Sequence, residues 1–188
     1  TKPWNETGES ERVESTRRAY VDQLLAVADR EQIADADLTV ALDPGHGAGA
    51  LTSPGFFREL GCRVVTVNAQ PDGHFPGRDP EPVAENLDDL GALVRATDAD
   101  VGIAHDGDAD RAIFYDEHGD YIEGDATLAA LAEARLDAGD TAVSAVNVSQ
   151  RLVDVTSRVD ADLELTPIGS TYIITRIREL QNEGEHVP

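Results

Sequence analysis

Lysine occurs once in this chain of 188 residues, at Lys2, and cysteine once, at Cys62. A lone cysteine excludes an internal disulfide and any cysteine-built metal cluster. Cys62 stands just before Val64-Val65-Thr66-Val67 and reads as a buried strand residue. Aromatic side chains make up only 5% of the chain, so the core has to be assembled from Val, Ile, Leu and Ala, the palette of a sheet flanked by helices. No stretch approaches the ~20 apolar residues that a membrane span needs, and no basic, apolar leader opens the chain. The expectation is a soluble, cytoplasmic protein without a membrane partner. Positive charge is scarce as well, with 15 Lys+Arg against 37 Asp+Glu. Nucleic acid is thereby removed from the partners, because a phosphate backbone demands clustered basic groups.

What the chain has in quantity is acid. The formal net charge is −22, and the acidic residues are spread along the sequence rather than gathered into a tail. Such a charge destabilises a compact state by self-repulsion unless salt screens it. At molar salt the screening length falls to ~3 Å. The composition therefore reads as that of a cytoplasmic protein from a halophile, and it accounts for the acidity without giving it a catalytic role.

With 40% hydrophobic residues the chain can fill two small α/β units. Residues Thr1–Gly8 read as a linker entered mid-protein. Ser10 is expected to cap a helix whose apolar face runs through Val13, Tyr20, Val21, Leu24, Leu25 and Val27. A strand at Leu38–Leu42 leads into the glycine-rich turn Asp43–Gly49, followed by a helix through Phe56, Phe57 and Leu60 that Gly61 stops. Arg63–Val67 is the next strand, and Asn68–Pro82 a long loop punctuated by proline and glycine. A helix carrying Leu87, Leu90, Leu93 and Val94 precedes the strand Val101–Ala104, and Ala112–Tyr115 with Tyr121–Ile122 forms a hairpin. The pattern then restarts, with helices through Leu128, Leu131 and Leu136, through Leu152, Val153 and Val155, and over Tyr172–Gln181. Strands at Ala142–Val146 and Leu163–Leu165 lie between them. Alternating strands and helices of these lengths predict two three-layer α/β/α units with mixed, mainly parallel sheets. The boundary is expected near 122/123, giving units 1–122 and 123–188, the second truncated as it approaches a further strand.

The segment that carries chemistry is Asp106-Gly-Asp-Ala-Asp-Arg111, delivered by the apolar strand Val101–Ala104. Aspartates two apart fall on one side of an extended stretch, and Gly107 and Ala109 leave room between them. Three hard carboxylates can then meet one hard cation such as Mg²⁺, which takes the rest of its six ligands from phosphate or water. Arg111 follows at once, and its planar fork suits phosphate. An EF-hand fails, because its sixth position needs glycine where Arg111 stands. An aspartyl-phosphate phosphatase, with Asp106 and Asp108 as its D-x-D pair, stays open, as does a metal-binding module without chemistry of its own. Asp43–Gly49 lacks the ending of a nucleotide P-loop. It reads equally as an anion contact and as a tight turn packing a strand beneath a helix.

Taken in order, Asp43-Pro-Gly-His-Gly-Ala-Gly49, the loop Asn68–Pro82, Asp106-Gly-Asp-Ala-Asp-Arg111 and Thr166-Pro-Ile-Gly-Ser-Thr-Tyr172 resemble the α-D-phosphohexomutase superfamily over nearly the whole chain. The resemblance implies a four-domain protein of which this chain holds the second domain and most of the third. The phosphoryl-carrying serine, a glutamate-bearing sugar loop and a phosphate-binding domain would lie in the missing domains, the chain's expected partners. It further implies exchange between 1-phospho and 6-phospho sugars through a bisphosphorylated intermediate. Asp106, Asp108 and Asp110 would hold Mg²⁺, Arg111 would contact the phosphate, and Gly169, Ser170 and Thr171 would lie in the sugar-recognition loop. Phe75-Pro-Gly-Arg-Asp-Pro-Glu-Pro82 is more similar to phosphomannomutase and phosphoglucomutase members than to phosphoglucosamine mutases. Ser170 and Thr171 stand where many relatives have Asp or a basic residue.

Overall fold

Alternation of side chains decides the first sheet. In β1 (Thr39–Asp43) every residue is buried, with Val40 and Leu42 on one face and Ala41 and Asp43 on the other. The computed structural model describes Pro3, Gly8, Val13 and residues 15–188. The linker expected over Thr1–Gly8, apart from Pro3 and Gly8, and the cap expected at Ser10 lie outside the described residues. The described chain divides into two compact units near Asp120, just ahead of the last strand of the first sheet.

The first unit opens with α1 (Thr16–Val27), which buries Val21 and Leu25. Tyr20 and Val27 were expected on the same apolar face, but they are 53% and 85% exposed. Seven residues apart, they form a separate stripe about 100° around the helix from Val21. Val13 lies outside the helix and is exposed. A short helix absent from the sequence expectation, α2 (Arg30–Asp35), follows; the Asp29 carboxylate caps it by accepting from the Gln32 N–H at 3.1 Å. After β1 come α3 (Ser53–Glu59), β2 (Arg63–Thr66), α4 (Asp88–Thr97), β3 (Val101–His105), β4 (Ala112–Tyr115) and β5 (Tyr121–Ile122). Gly61 ends α3 as expected, at φ +97° and with no space for a Cβ, which would sit 2.8 Å from that of Ala34 in α2.

The sheet order is β2-β1-β3-β4-β5, with β1 parallel to both β2 and β3 and β4 antiparallel to β3. Val21, Leu25, Val40, Leu42, Leu60, Cys62 and Ile103 form one core, joined by Phe56, Phe57 and Phe114. Cys62 is buried as expected, and its burial pushes the thiol pKa up. On the opposite face α4 brings Leu90 and Val94 onto Gly102, where a Cβ would lie 2.8 Å from a Val94 methyl and 2.9 Å from Tyr115. Fully burying a side chain such as Leu42, Leu87 or Leu90 contributes roughly 1.5–3 kcal/mol each. The unit is therefore three-layered.

The chain runs from β1 outward to β2 and then crosses to β3 on the other flank of β1. Strand order reverses between β1 and β3, and in open α/β sheets ligands bind beyond the carboxyl ends of the strands at such a reversal.

In the second unit β6 (Thr141–Ala145) and β7 (Asp162–Thr166) pair in parallel, with α5 (Gly124–Arg135), α6 (Gln150–Val159) and α7 (Ser170–Glu183) around them. Leu152 and Val155 are buried, as the helical spacing requires. Leu128 and Leu131 stay 42% and 58% exposed. They line an apolar groove of about 230 Å³ together with Leu152, Ile177 and Val187 rather than a closed core. The terminal segment runs beside β6, where the Thr141 N–H donates to the His186 carbonyl at 3.0 Å. No helix among the described residues is long and apolar enough to cross a membrane.

Candidate metal centre

Three loops leave the carboxyl ends of β1, β2 and β3, and backbone hydrogen bonds tie them into one body. The Ala48 N–H, in the turn after β1, donates to the Gly107 carbonyl at 3.0 Å. His46 N–H reaches the Asn68 carbonyl at 2.8 Å, and the His46 carbonyl accepts from Asp72 N–H at 2.9 Å. Two glycines are required here. A Cβ on Gly47 would overlap the Gly107 carbonyl, and one on Gly45, at φ +56°, would stand 2.5 Å from the Arg78 guanidinium. The turn Asp43–Gly49 is tight and seats the aspartate loop.

Arg78 is the brace beneath that loop. Its Nε donates to the Asp43 carboxylate at 2.8 Å and its Nη2 to the His105 carbonyl at 2.6 Å, with both side chains almost wholly buried. The second Asp43 oxygen accepts from Gly45 N–H at 2.8 Å, so the buried charge is paired and fully hydrogen-bonded.

On this platform Asp106, Asp108 and Asp110 each offer one carboxylate oxygen, all within 4.8 Å of one another. The loop is a bend rather than an extended stretch, and Ala109 sits at φ +62° with its N–H on the Asp106 carbonyl at 3.3 Å. The convergence argued from spacing therefore comes about through a left-handed turn. Opposite ligands of a Mg²⁺ shell lie about 4.2 Å apart, twice the ~2.1 Å bond. Small side-chain adjustments therefore suffice, and the all-oxygen donor set suits a hard cation.

Asp106 is buried while Asp108 and Asp110 are exposed. Burial alone would raise the Asp106 pKa. Hydrogen bonds from the Arg111 side chain and backbone, and from Asp110, override it and hold the carboxyl below its usual range. Asp110 is pushed up, first by its hydrogen bond to Asp106 and then by the charges of Asp108 and Asp106. Arg111 lies against the cluster, its Nε 3.0 Å from one Asp106 oxygen and its backbone N–H 3.1 Å from the other. Its two terminal nitrogens engage Glu81 at 2.6 and 3.0 Å. Two of its five N–H groups remain for another anion. Phe75, Pro80, Glu81, Asp106, Asp108 and Arg111 border a cleft of about 420 Å³.

The four residues expected at the metal loop are thus assembled in the first unit. Gly169, Ser170 and Thr171 lie exposed at the start of α7 in the second. Glu81, Arg78, His105 and Ser53 were not singled out in the sequence. Arg78 acts across 35 residues on Asp43, a distance that no local spacing encodes.

Residues 18–119 match the family model described as phosphoglucomutase/phosphomannomutase, alpha/beta/alpha domain II. A Thermococcus kodakarensis protein named phosphoglucomutase/phosphomannomutase is 43% identical over 183 residues, covering 96% of this chain and 40% of the relative. A Methanopyrus kandleri protein named probable phosphoglucosamine mutase is 40% identical over 178 residues, 94% of this chain and 39% of that protein. The crystal structure of a phosphoglucomutase/phosphomannomutase family protein from Burkholderia thailandensis superimposes with a TM-score of 0.78 at 28% identity, over 87% of this chain and 35% of that one. The chain spans about two fifths of the length of the curated relatives it matches.

Proposed function

This chain belongs to the phosphoglucomutase/phosphomannomutase family, and on that premise we propose that it is the divalent-metal part of a hexose phosphomutase. The single observation that carries the reading is the convergence of Asp106, Asp108 and Asp110 at the carboxyl end of β3, with Arg111 beside them. The reaction is exchange of phosphate between the 1- and 6-positions of glucose or mannose, using a phosphoserine supplied outside this chain. Mg²⁺ bound by the three aspartates would neutralise charge on the transferring phosphoryl group.

The chain's own residues do the positioning. Arg78 and the turn Gly45–Gly49 hold the loop from below, so the carboxylates do not have to be gathered when a cation arrives. Arg111 orients Asp106 through two hydrogen bonds and keeps spare N–H groups at the edge of the cleft for phosphate oxygens. Glu81 holds the guanidinium in plane until such a phosphate competes for it. Gly169, Ser170 and Thr171 are proposed for sugar recognition. The preference for glucose and mannose phosphates rests on Phe75–Pro82, whose Arg78 is built into the site. Several relatives named for phosphoglucosamine make glucosamine phosphate the competing substrate to test.

The experiment is a comparison of glucose, mannose and glucosamine 1-phosphates, each with its bisphosphate and Mg²⁺, on the polypeptide that carries this segment together with its serine-bearing domain. Turnover of the first two, abolished by Asp108→Ala, is the expected result. Undiminished Mg²⁺-dependent turnover in that variant would refute the site. The 188 residues alone are expected to show no turnover, and stable phosphorylation of Asp106 in them would instead favour a D-x-D phosphatase.

A further inference from the structure

The β3–β4 hairpin is closed at its mouth by a side chain as well as by its ladder. His105 and Ala112 are register partners, and the six residues between them are the aspartate loop. The His105 ring turns across this opening. Its Nδ1 lies 3.1 Å from the Arg111 carbonyl oxygen and its Nε2 3.1 Å from Ser53 Oγ, at the start of α3. A carbonyl oxygen only accepts, so Nδ1 carries a hydrogen in either charge state of the ring. Gly49 makes the room, since a Cβ there would lie 3.0 Å from the ring's Cδ2 and 3.3 Å from the Ala109 methyl. The ring is thus wedged between α3, the turn after β1 and the loop itself.

Arg111 is in consequence held at both ends of its backbone. Its N–H and Nε are on Asp106 and its carbonyl is on His105. The residue that ends the loop cannot tilt without breaking one of these, and Asp110 is bonded directly to it. Backbone partners of this kind fix where ligand oxygens point before a metal arrives.

We propose that His105 is a positioning residue of the metal centre. Its Nδ1–H, with Ser53 on the opposite nitrogen, fixes the Arg111 carbonyl and so keeps Asp106 and Asp110 converging on one cation. The inference deepens the metal reading above and rests on it. A histidine that merely fills space beside Phe56, Phe57 and Tyr20, its neighbours in a cavity of about 160 Å³, would matter to folding and not to the metal.

Asparagine and glutamine separate the two roles. The amide nitrogen of Asn reaches about where Nδ1 sits, whereas that of Gln reaches about where Nε2 sits. The test is titration of the 188-residue chain with Mn²⁺, read by electron paramagnetic resonance, with thermal melting measured alongside. His105→Gln and His105→Ala are expected to weaken Mn²⁺ binding by about tenfold or more, the usual effect of losing such a partner. His105→Asn should stay within about threefold of the unsubstituted chain, the amide restoring most of that contact. Equal affinity in all four proteins, or an Asn variant as weak as the Gln variant at matched melting temperature, would overturn the assignment. If His105→Ala does not fold, the Asn–Gln comparison decides. Absence of saturable Mn²⁺ binding by the unsubstituted chain would remove the metal reading itself, and this inference with it.

Discussion

Asp110 is the residue at which proton and metal compete. Its carboxyl is held above the usual range by Asp106 and Asp108, so it takes up a proton at a higher pH than an ordinary aspartate, near 3.9, would. A proton on that oxygen excludes a cation, and Mn²⁺ affinity should therefore begin to fall above the ordinary aspartate range as the pH is lowered. Titrations across pH check this, and a fall confined to the ordinary range or below it would contradict the coupling. Arg78 makes a second residue-level prediction. Replacing it by Ala leaves the Asp43 carboxylate buried and unpaired, a loss typically of about 3–5 kcal/mol. Chemical denaturation should show a cost on that scale, and one below about 1 kcal/mol would mean the pair is not what holds the platform. The aspartates were legible from Asp106-Gly-Asp-Ala-Asp-Arg111, because their chemistry is local in sequence. Arg78 and Glu81 were not, because each acts on a residue at least 30 positions away and only the folded sheet brings them together.

At the scale of elements, β1, β3 and β4 follow from apolar runs to within a residue of their observed ends, and α4 carries Leu90, Leu93 and Val94 as its helical spacing requires, with Leu87 just ahead of its first turn. Longer-range competition explains the departures. Val27 has the right residue type but is left exposed, and Leu128 and Leu131 face an open groove. α2 is only six residues long and carries no periodic face, so its one signal was the Asp29…Gln32 cap. The glycine-rich turn after β1 was read as ambiguous because glycine serves tight packing and anion binding alike. Its role rests on Gly47, whose hydrogen leaves just enough room for the Gly107 carbonyl. Gly47→Ala must displace one loop from the other, so it should weaken Mn²⁺ binding more than it lowers the melting temperature. Unchanged affinity would show that the turn merely packs.

The whole molecule carries a formal −22. Its melting temperature should climb steeply as KCl rises from low to molar concentration, because screening removes repulsion between exposed carboxylates. Indifference to salt would count against the halophile reading. Acids with a partner work in the other direction, Asp140 among them. Asp140 is held below its usual range, first by the Asp137 N–H and then by His186. A depressed carboxylate stabilises the fold fully above its unfolded value and ceases to do so as pH falls through its folded one. Asp140→Asn should therefore lower stability at neutral pH, with the difference narrowing below the ordinary aspartate range. The measurement that bears most directly on the central claim is anomalous diffraction from crystals of this chain soaked in Mn²⁺. A single peak about 2.1 Å from one oxygen each of Asp106, Asp108 and Asp110 is the predicted result. An empty loop at saturating Mn²⁺, or a peak held by other residues, would contradict it.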